Sequence, residues 1–186
     1  MTKIALVVVD AWDTTNQDNI DDYFLLEDEY NSFIKYLSFV THYESLKKDV
    51  DIYHCHGSEN RISNIFYEDN TNFVLLKKII DIPLHYDYYL FCGFHYQMCV
   101  FKNIIMLSKY IDISRMGIVF NLTSTVPEIH AENLTFDYEN VSDYVEHALD
   151  QYDGYDFINY DKHTFYNIKK YYWTRSGYRM IEVACV

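Results

Sequence analysis

Cys99, Asp10 and the pair His54-x-His56 are the residues whose types and spacing suit covalent or metal-assisted chemistry. A thiol becomes a nucleophile when a neighbouring base takes its proton, or when a helix N-terminus favours the thiolate. Asp10 directly follows the apolar run 4–9, so it stands at the end of a buried strand, where it can act as that base. Cys99 stands near the start of the apolar stretch 97–111. Free backbone N–H groups at such a helix start lower a thiol pKa and can receive an oxyanion. His54 and His56 project to one side of an extended segment. A zinc site wants three protein ligands and an open position, which His95 or Asp10 would complete. Each of these residues also has an ordinary structural use. A cysteine is often a small core residue, as Cys92 and Cys185 are expected to be. An aspartate after a strand can cap a helix, and strand-end histidines can bond backbone.

These groups need elements to position them. Continuously apolar strand-length runs predict strands at 4–9, 50–54, 88–92 and 117–121. Helical periodicity predicts helices at 27–46, with Tyr30, Phe33, Ile34, Leu37 and Val40 on one face, and at 97–111. Thr71 is a plausible cap for a helix through residue 80, stopped by Pro83. Further on, Ser142 caps an expected helix to residue 149, and 155–159 reads as a strand. The stretch 162–186 reads as a helix followed by a closing strand at 180–183. Strands alternating with helices imply an α/β fold with a mostly parallel central sheet and helices on both faces. In such sheets the working groups collect at the carboxyl ends of the strands. That rule selects Asp10, the segment His54-Cys55-His56, the segment from Gly93 to Cys99, and Asn121.

The chain has 186 residues, 49% of them apolar and 23% charged, which fits a single globular domain over 1–186. Its net charge of -13 repels phosphate backbones, so nucleic acid is not an expected partner. Lys77-Lys78 and Lys169-Lys170 are doublets, not a basic stripe. The cysteines form no C-x-x-C pair and read as reduced thiols in the cytoplasm. The opening apolar run is too short for a signal peptide, and no stretch approaches the roughly 20 apolar residues of a membrane span. No membrane partner is therefore expected.

The segment Val7-Val8-Val9-Asp10 resembles the first strand and catalytic acid of the isochorismatase-like cysteine hydrolases, a family that includes nicotinamidases. Gly93-Phe94-His95-Tyr96-Gln97-Met98-Cys99-Val100 resembles their G-x-x-T-x-x-C-V nucleophile segment. The separation between Asp10 and Cys99 is similar to that in the family's shorter members. Ser63-Asn64-Ile65-Phe66-Tyr67 loosely resembles an S-A-F segment, and Pro127-Glu128-Ile129-His130 resembles a later P-E-x-H stretch. The resemblance spans roughly residues 4–135 and is patchy. It implies a three-layer α/β/α sandwich, Cys99 as nucleophile and Asp10 as base. It also implies a cis peptide at Phe94–His95 that turns the His95 and Cys99 backbone N–H groups into an oxyanion hole.

The sequence departs from that pattern in three places. Asn60 stands where the family has lysine, and the adjacent Arg61 is the expected stand-in cation. Trp12 replaces a common glutamine and Tyr96 a common threonine, so Trp12, Asn60 and Tyr96 are expected to reshape a pocket. The expected function is hydrolysis of a small amide or related C–N substrate, without an obligatory cofactor, or with a zinc-type ion if His54 and His56 are ligands. The alternative is a catalytically impaired protein of the same fold that binds or interacts. A flavodoxin-like module is disfavoured because no Gly-rich or Ser/Thr-rich phosphate loop follows the first strand. Family habit and the many aromatic residues predict a homo-oligomer.

Overall fold

Ile4–Val9 forms strand β1, buried at every residue but the first, at the middle of a parallel sheet. A strand covered on both faces must be apolar on both, which is why this run does not alternate. The structure is a computed structural model in which residues 1–11, 27–55, 66, 72–94, 96–124 and 168–181 are described. Among them are β2 (Val50–Cys55), β3 (Val74–Leu76), β4 (Tyr88–Gly93), β5 (Met116–Thr123), β6 (Lys169–Thr174) and β7 (Gly177–Ile181). The sheet order is β3-β2-β1-β4-β5-β6-β7. Every pairing from β3 to β6 is parallel, and β7 is antiparallel to β6. Val9 is in register with Cys55 on one side and Gly93 on the other, so three strand ends come level.

The two helices described are α1 (Glu27–Ser45) and α2 (Phe101–Leu107). Ala5, Val7 and Val9 pack in one cluster with Phe101, Ile104 and Leu107 of α2. Leu6 and Val8 pack in a second cluster with Tyr30, Ile34, Leu37 and Val40 of α1. Because alternate strand residues point to opposite faces, α1 and α2 cover opposite sides of the sheet. The expected α/β class with a mostly parallel sheet is what the chain adopts. Among the described residues, no helix is long and apolar enough to cross a membrane.

The sequence reading is corrected in three places. The expected helix at 71–80 is instead the short edge strand β3, paired with Tyr53–Cys55, and a 3₁₀ turn at Ile79–Asp81. Its apolar residues fit either period, and the free edge of β2 decides between them. The expected helix at 97–111 begins as a π-turn and ends at Leu107. There the Ser108 hydroxyl donates to the Ile105 carbonyl at 2.9 Å, a local bond that competes with helix continuation. Part of the expected C-terminal helix is the hairpin β6–β7, closed at Thr174↔Gly177. Tyr171, Tyr172, Trp173 and Thr174 suit a pleated surface, and Gly177 takes φ 124 at the turn. The expected cap Thr71, helix 142–149 and strand 155–159 lie outside the described residues.

Candidate functional site

The sheet order reverses between β1 and β4, since β2 and β3 lie to one side and β4 and β5 to the other. At such a point the crossovers diverge and leave a crevice beyond the strand ends. Asp10 is the first residue past β1. It is buried, with φ 50, and its N–H donates to the Cys55 carbonyl at 3.0 Å. Aspartate tolerates this left-handed backbone better than most residues, and the bend turns its carboxylate out of the strand's alternation.

Across the crevice, Gly93 has φ 107, and a Cβ there would lie 2.1 Å from the Val9 carbonyl oxygen. The lack of a side chain lets β4 close on β1, and the Phe94 N–H then donates to the Val9 carbonyl at 2.9 Å. The chain continues through a π-turn, Tyr96–Val100, that carries Cys99 into α2. This turn is pinned to β5: the Tyr96 N–H donates to the Ser124 carbonyl at 2.8 Å, and the Ser124 N–H to the Gly93 carbonyl at 2.8 Å.

Cys99 is half-buried, and the Asp10 carboxylate lies near enough to its thiol to act on it by charge and as a hydrogen-bond acceptor. The two residues selected from sequence are thus brought together. Compared with family models, with curated proteins and with solved structures, the chain matches none.

The thiol is not activated in the way its helix position predicts. Burial pushes its pKa up, and the charge and hydrogen bond of Asp10 push it further, against a lowering effect of Lys102. This corrects the expectation of a lowered thiol pKa. The π-turn removes Cys99 from a regular α-helix start, and an adjacent carboxylate opposes a second negative charge. Cys55 is pushed up to about 12 by burial, then by Asp10 and Asp81. The buried Cys92 is raised by burial alone, as a core thiol should be.

Two neighbours, Asn103 and Lys102, escaped the sequence reading, and a third, Cys55, was selected there only as part of a strand end. Cys55 joins the Asp10 side of the crevice because β2 is in register with β1. Its thiol donates to Asn103 Oδ1 at 3.5 Å, and Asn103 Nδ2 donates to the Cys99 carbonyl at 2.7 Å. Lys102, exposed on α2, is the described cation acting on the Cys99 thiol. Residues 102 and 103 lie three and four positions past Cys99, the helical spacing that brings side chains together, and this was the available signal.

Other expected site residues fall elsewhere. His54 is buried between the rings of Phe66, at 4.6 Å, and Phe73, at 4.2 Å. Phe66 belongs to the cluster on the α1 side, whereas Cys55 and Cys99 belong to the α2 side. His54 therefore does not join the thiol, and among the described residues no group of three or more His, Cys, Asp or Glu could hold a metal. Tyr96, an expected pocket residue, is buried with its ring 5.8 Å from that of Phe120. Asn121 ties β5 to β6: it donates to the Trp173 carbonyl and accepts from the Trp173 N–H, both at 2.9 Å. Arg61, Asn60, Trp12, His56 and His95, with the Phe94–His95 peptide, lie outside the described residues.

Proposed function

We propose that this chain is a cysteine hydrolase of the isochorismatase-like type, acting on a small amide or related C–N substrate. The observation that carries the reading is the nearness of Asp10 to the Cys99 thiol, in the crevice where the sheet order reverses. Asp10 takes the thiol proton, and the sulfur attacks the substrate carbonyl carbon. Backbone N–H groups of Cys99 and His95 receive the resulting oxyanion, as the resemblance implies. Asp10 returns the proton to the leaving nitrogen as the C–N bond breaks, which leaves a thioester. Water then gives a proton to Asp10 and attacks the thioester, releasing the acid and restoring the thiol. Arg61, by resemblance, and Lys102, by position, are the cations that favour the thiolate.

A second reading, a binding protein of the same fold without turnover, is favoured by Asn60 in the lysine position and by the raised Cys99 pKa. Ammonia release from a panel of small amides separates the two. Turnover by the native protein that Cys99→Ala and Asp10→Asn both abolish supports the hydrolase. A folded native protein that binds amides without releasing ammonia supports the second reading.

Homo-oligomer formation is part of the proposal, supported by Val74 at 53% and Leu75 at 50% exposure on the edge strand β3. Light scattering at the 22.4 kDa monomer mass would count against it. A cytoplasmic setting is supported by the free thiols of Cys55, Cys92 and Cys99.

A further inference from the structure

Asn103 is half-buried on α2 and spends both ends of its amide inside the site. Its Nδ2 donates at 2.7 Å to the carbonyl of Cys99, four residues earlier, in the π-turn that feeds α2. Where bonding changes from the wide π spacing to the α spacing, backbone carbonyls lose their regular partners and need other donors. A side-chain amide aimed back at that junction holds the turn in its wide form. The other end of the amide is fixed by the opposite wall of the crevice, since Cys55 at the end of β2 donates its S–H to Oδ1 at 3.5 Å. The Cys99 carbonyl, which can only accept, fixes the amide nitrogen on its side, and Oδ1 is then left to accept the Cys55 S–H. Cys55 is itself held level with Val9 by strand register, and its carbonyl accepts the Asp10 N–H. One chain of bonds thus runs from the Asp10 backbone through Cys55 and Asn103 to Cys99.

We propose that Asn103 is a positioning residue: anchored by Cys55, it holds the Cys99 turn so that the thiol meets Asp10. The proposal rests on Cys99 and Asp10 acting as a pair, and it adds two residues that the family resemblance does not include. The charged and titratable groups facing the Cys99 thiol among the described residues are Asp10, Cys55 and Lys102.

The experiment is the pH profile of Cys99 carbamidomethylation by iodoacetamide on the full chain, read by peptide mass spectrometry. Asn103→Leu releases the turn, so the thiol moves away from the carboxylate, and the midpoint should fall by about one unit or more toward the ordinary thiol value. Cys55→Ala removes the anchor and should shift the midpoint the same way by less. Cys55→Ser restores an O–H donor and should return the native midpoint, a rescue that loss of packing does not predict. Adding Cys55→Ala to Asn103→Leu should cause little further change, because both act through one amide. A native midpoint in Asn103→Leu overturns the proposal. If that variant does not fold, the Cys55 pair decides: equal profiles for Ala and Ser overturn it. Iodoacetamide needs no substrate, so absence of amide turnover removes the hydrolase reading and leaves this comparison intact.

Discussion

Replacing Gly93 with alanine tests the closure on which the site depends. The new Cβ would meet the Val9 carbonyl oxygen at 2.1 Å, its nitrogen at 2.8 Å and its carbonyl carbon at 3.0 Å. All three are backbone atoms of a central strand, so no side chain can rotate away. At φ 107 an L-residue also carries a conformational cost of roughly 1–3 kcal/mol. Forced separation of β1 from β4 adds about 1–3 kcal/mol, the range for overpacked cores. Together these give a loss of about 2–6 kcal/mol, which for a chain of this size lowers the Tm by roughly 4–24 °C. Gly177→Ala is the control, because it has φ 124 but nothing within 4 Å of the added atom. It should lose about 1–2 kcal/mol from conformation alone. Gly117→Ala should fall between them, since its Cβ meets the Tyr171 ring at 2.3 Å, where a side chain can give way. Thermal melts followed by circular dichroism rank the three. Equal losses for Gly93→Ala and Gly177→Ala would refute the claim that close approach to Val9, rather than backbone angle, makes this glycine necessary.

Iodoacetamide at pH 8 should modify the half-buried Cys99 before the buried Cys55 and Cys92, as peptide mass spectrometry would show. Asp10→Asn should lower the Cys99 midpoint, because it removes the negative charge that raises it. Thiols whose folded pKa is raised favour folding fully below their unfolded value of about 8.5 and lose that contribution as pH rises toward the folded value. Cys55, Cys92 and Cys99 all shift in this direction, so the Tm should fall between about pH 8.5 and 11. Cys92→Ala should flatten that slope; an unchanged slope would show that the thiols do not cause it. Trp173→Phe removes the indole N–H that donates to the buried Glu44 Oε1 at 2.7 Å and leaves that oxygen with Lys47 as its remaining donor. A loss of about 1–3 kcal/mol in urea unfolding is expected.

The central sheet was legible because its strands carry their own signal. Ile4–Val9 is apolar at every position, and few arrangements other than a doubly covered strand accept that. The edges were not, because what decides them is distant in sequence. Val74–Leu76 becomes a strand by pairing with Tyr53–Cys55, and without that partner its apolar residues fit a helix equally well. The hairpin β6–β7 depends on Trp173 reaching Asn121 and Glu44, contacts that no local window contains. Asp10 and Cys99 were found through the strand-end rule and the motif. Cys55 was selected by the same rule, but its meeting with Asn103 was hidden, because it needs the register Val9↔Cys55 together with the angle at which the π-turn enters α2.

The raised thiol pKa is compatible with Asp10 as base once the charges are counted. Ionising Cys99 while Asp10 keeps its own charge places two negative groups in one buried crevice, and that is what burial and repulsion oppose. Moving the proton from sulfur to carboxylate creates no new charge; it shifts one negative charge from oxygen to sulfur. The cost of that shift depends on which end of the pair is nearer a cation or an N–H donor. Lys102, on the same helix as Cys99's turn, acts on the sulfur, and Arg61 is the proposed second source. A carboxylate–thiol pair of this kind rests protonated on sulfur and resists stray alkylation. In the proposed reaction it would produce the nucleophile as a substrate carbonyl arrives to take up the charge, and the proposed role of the Asn103 bond is to keep sulfur and carboxylate in contact until then.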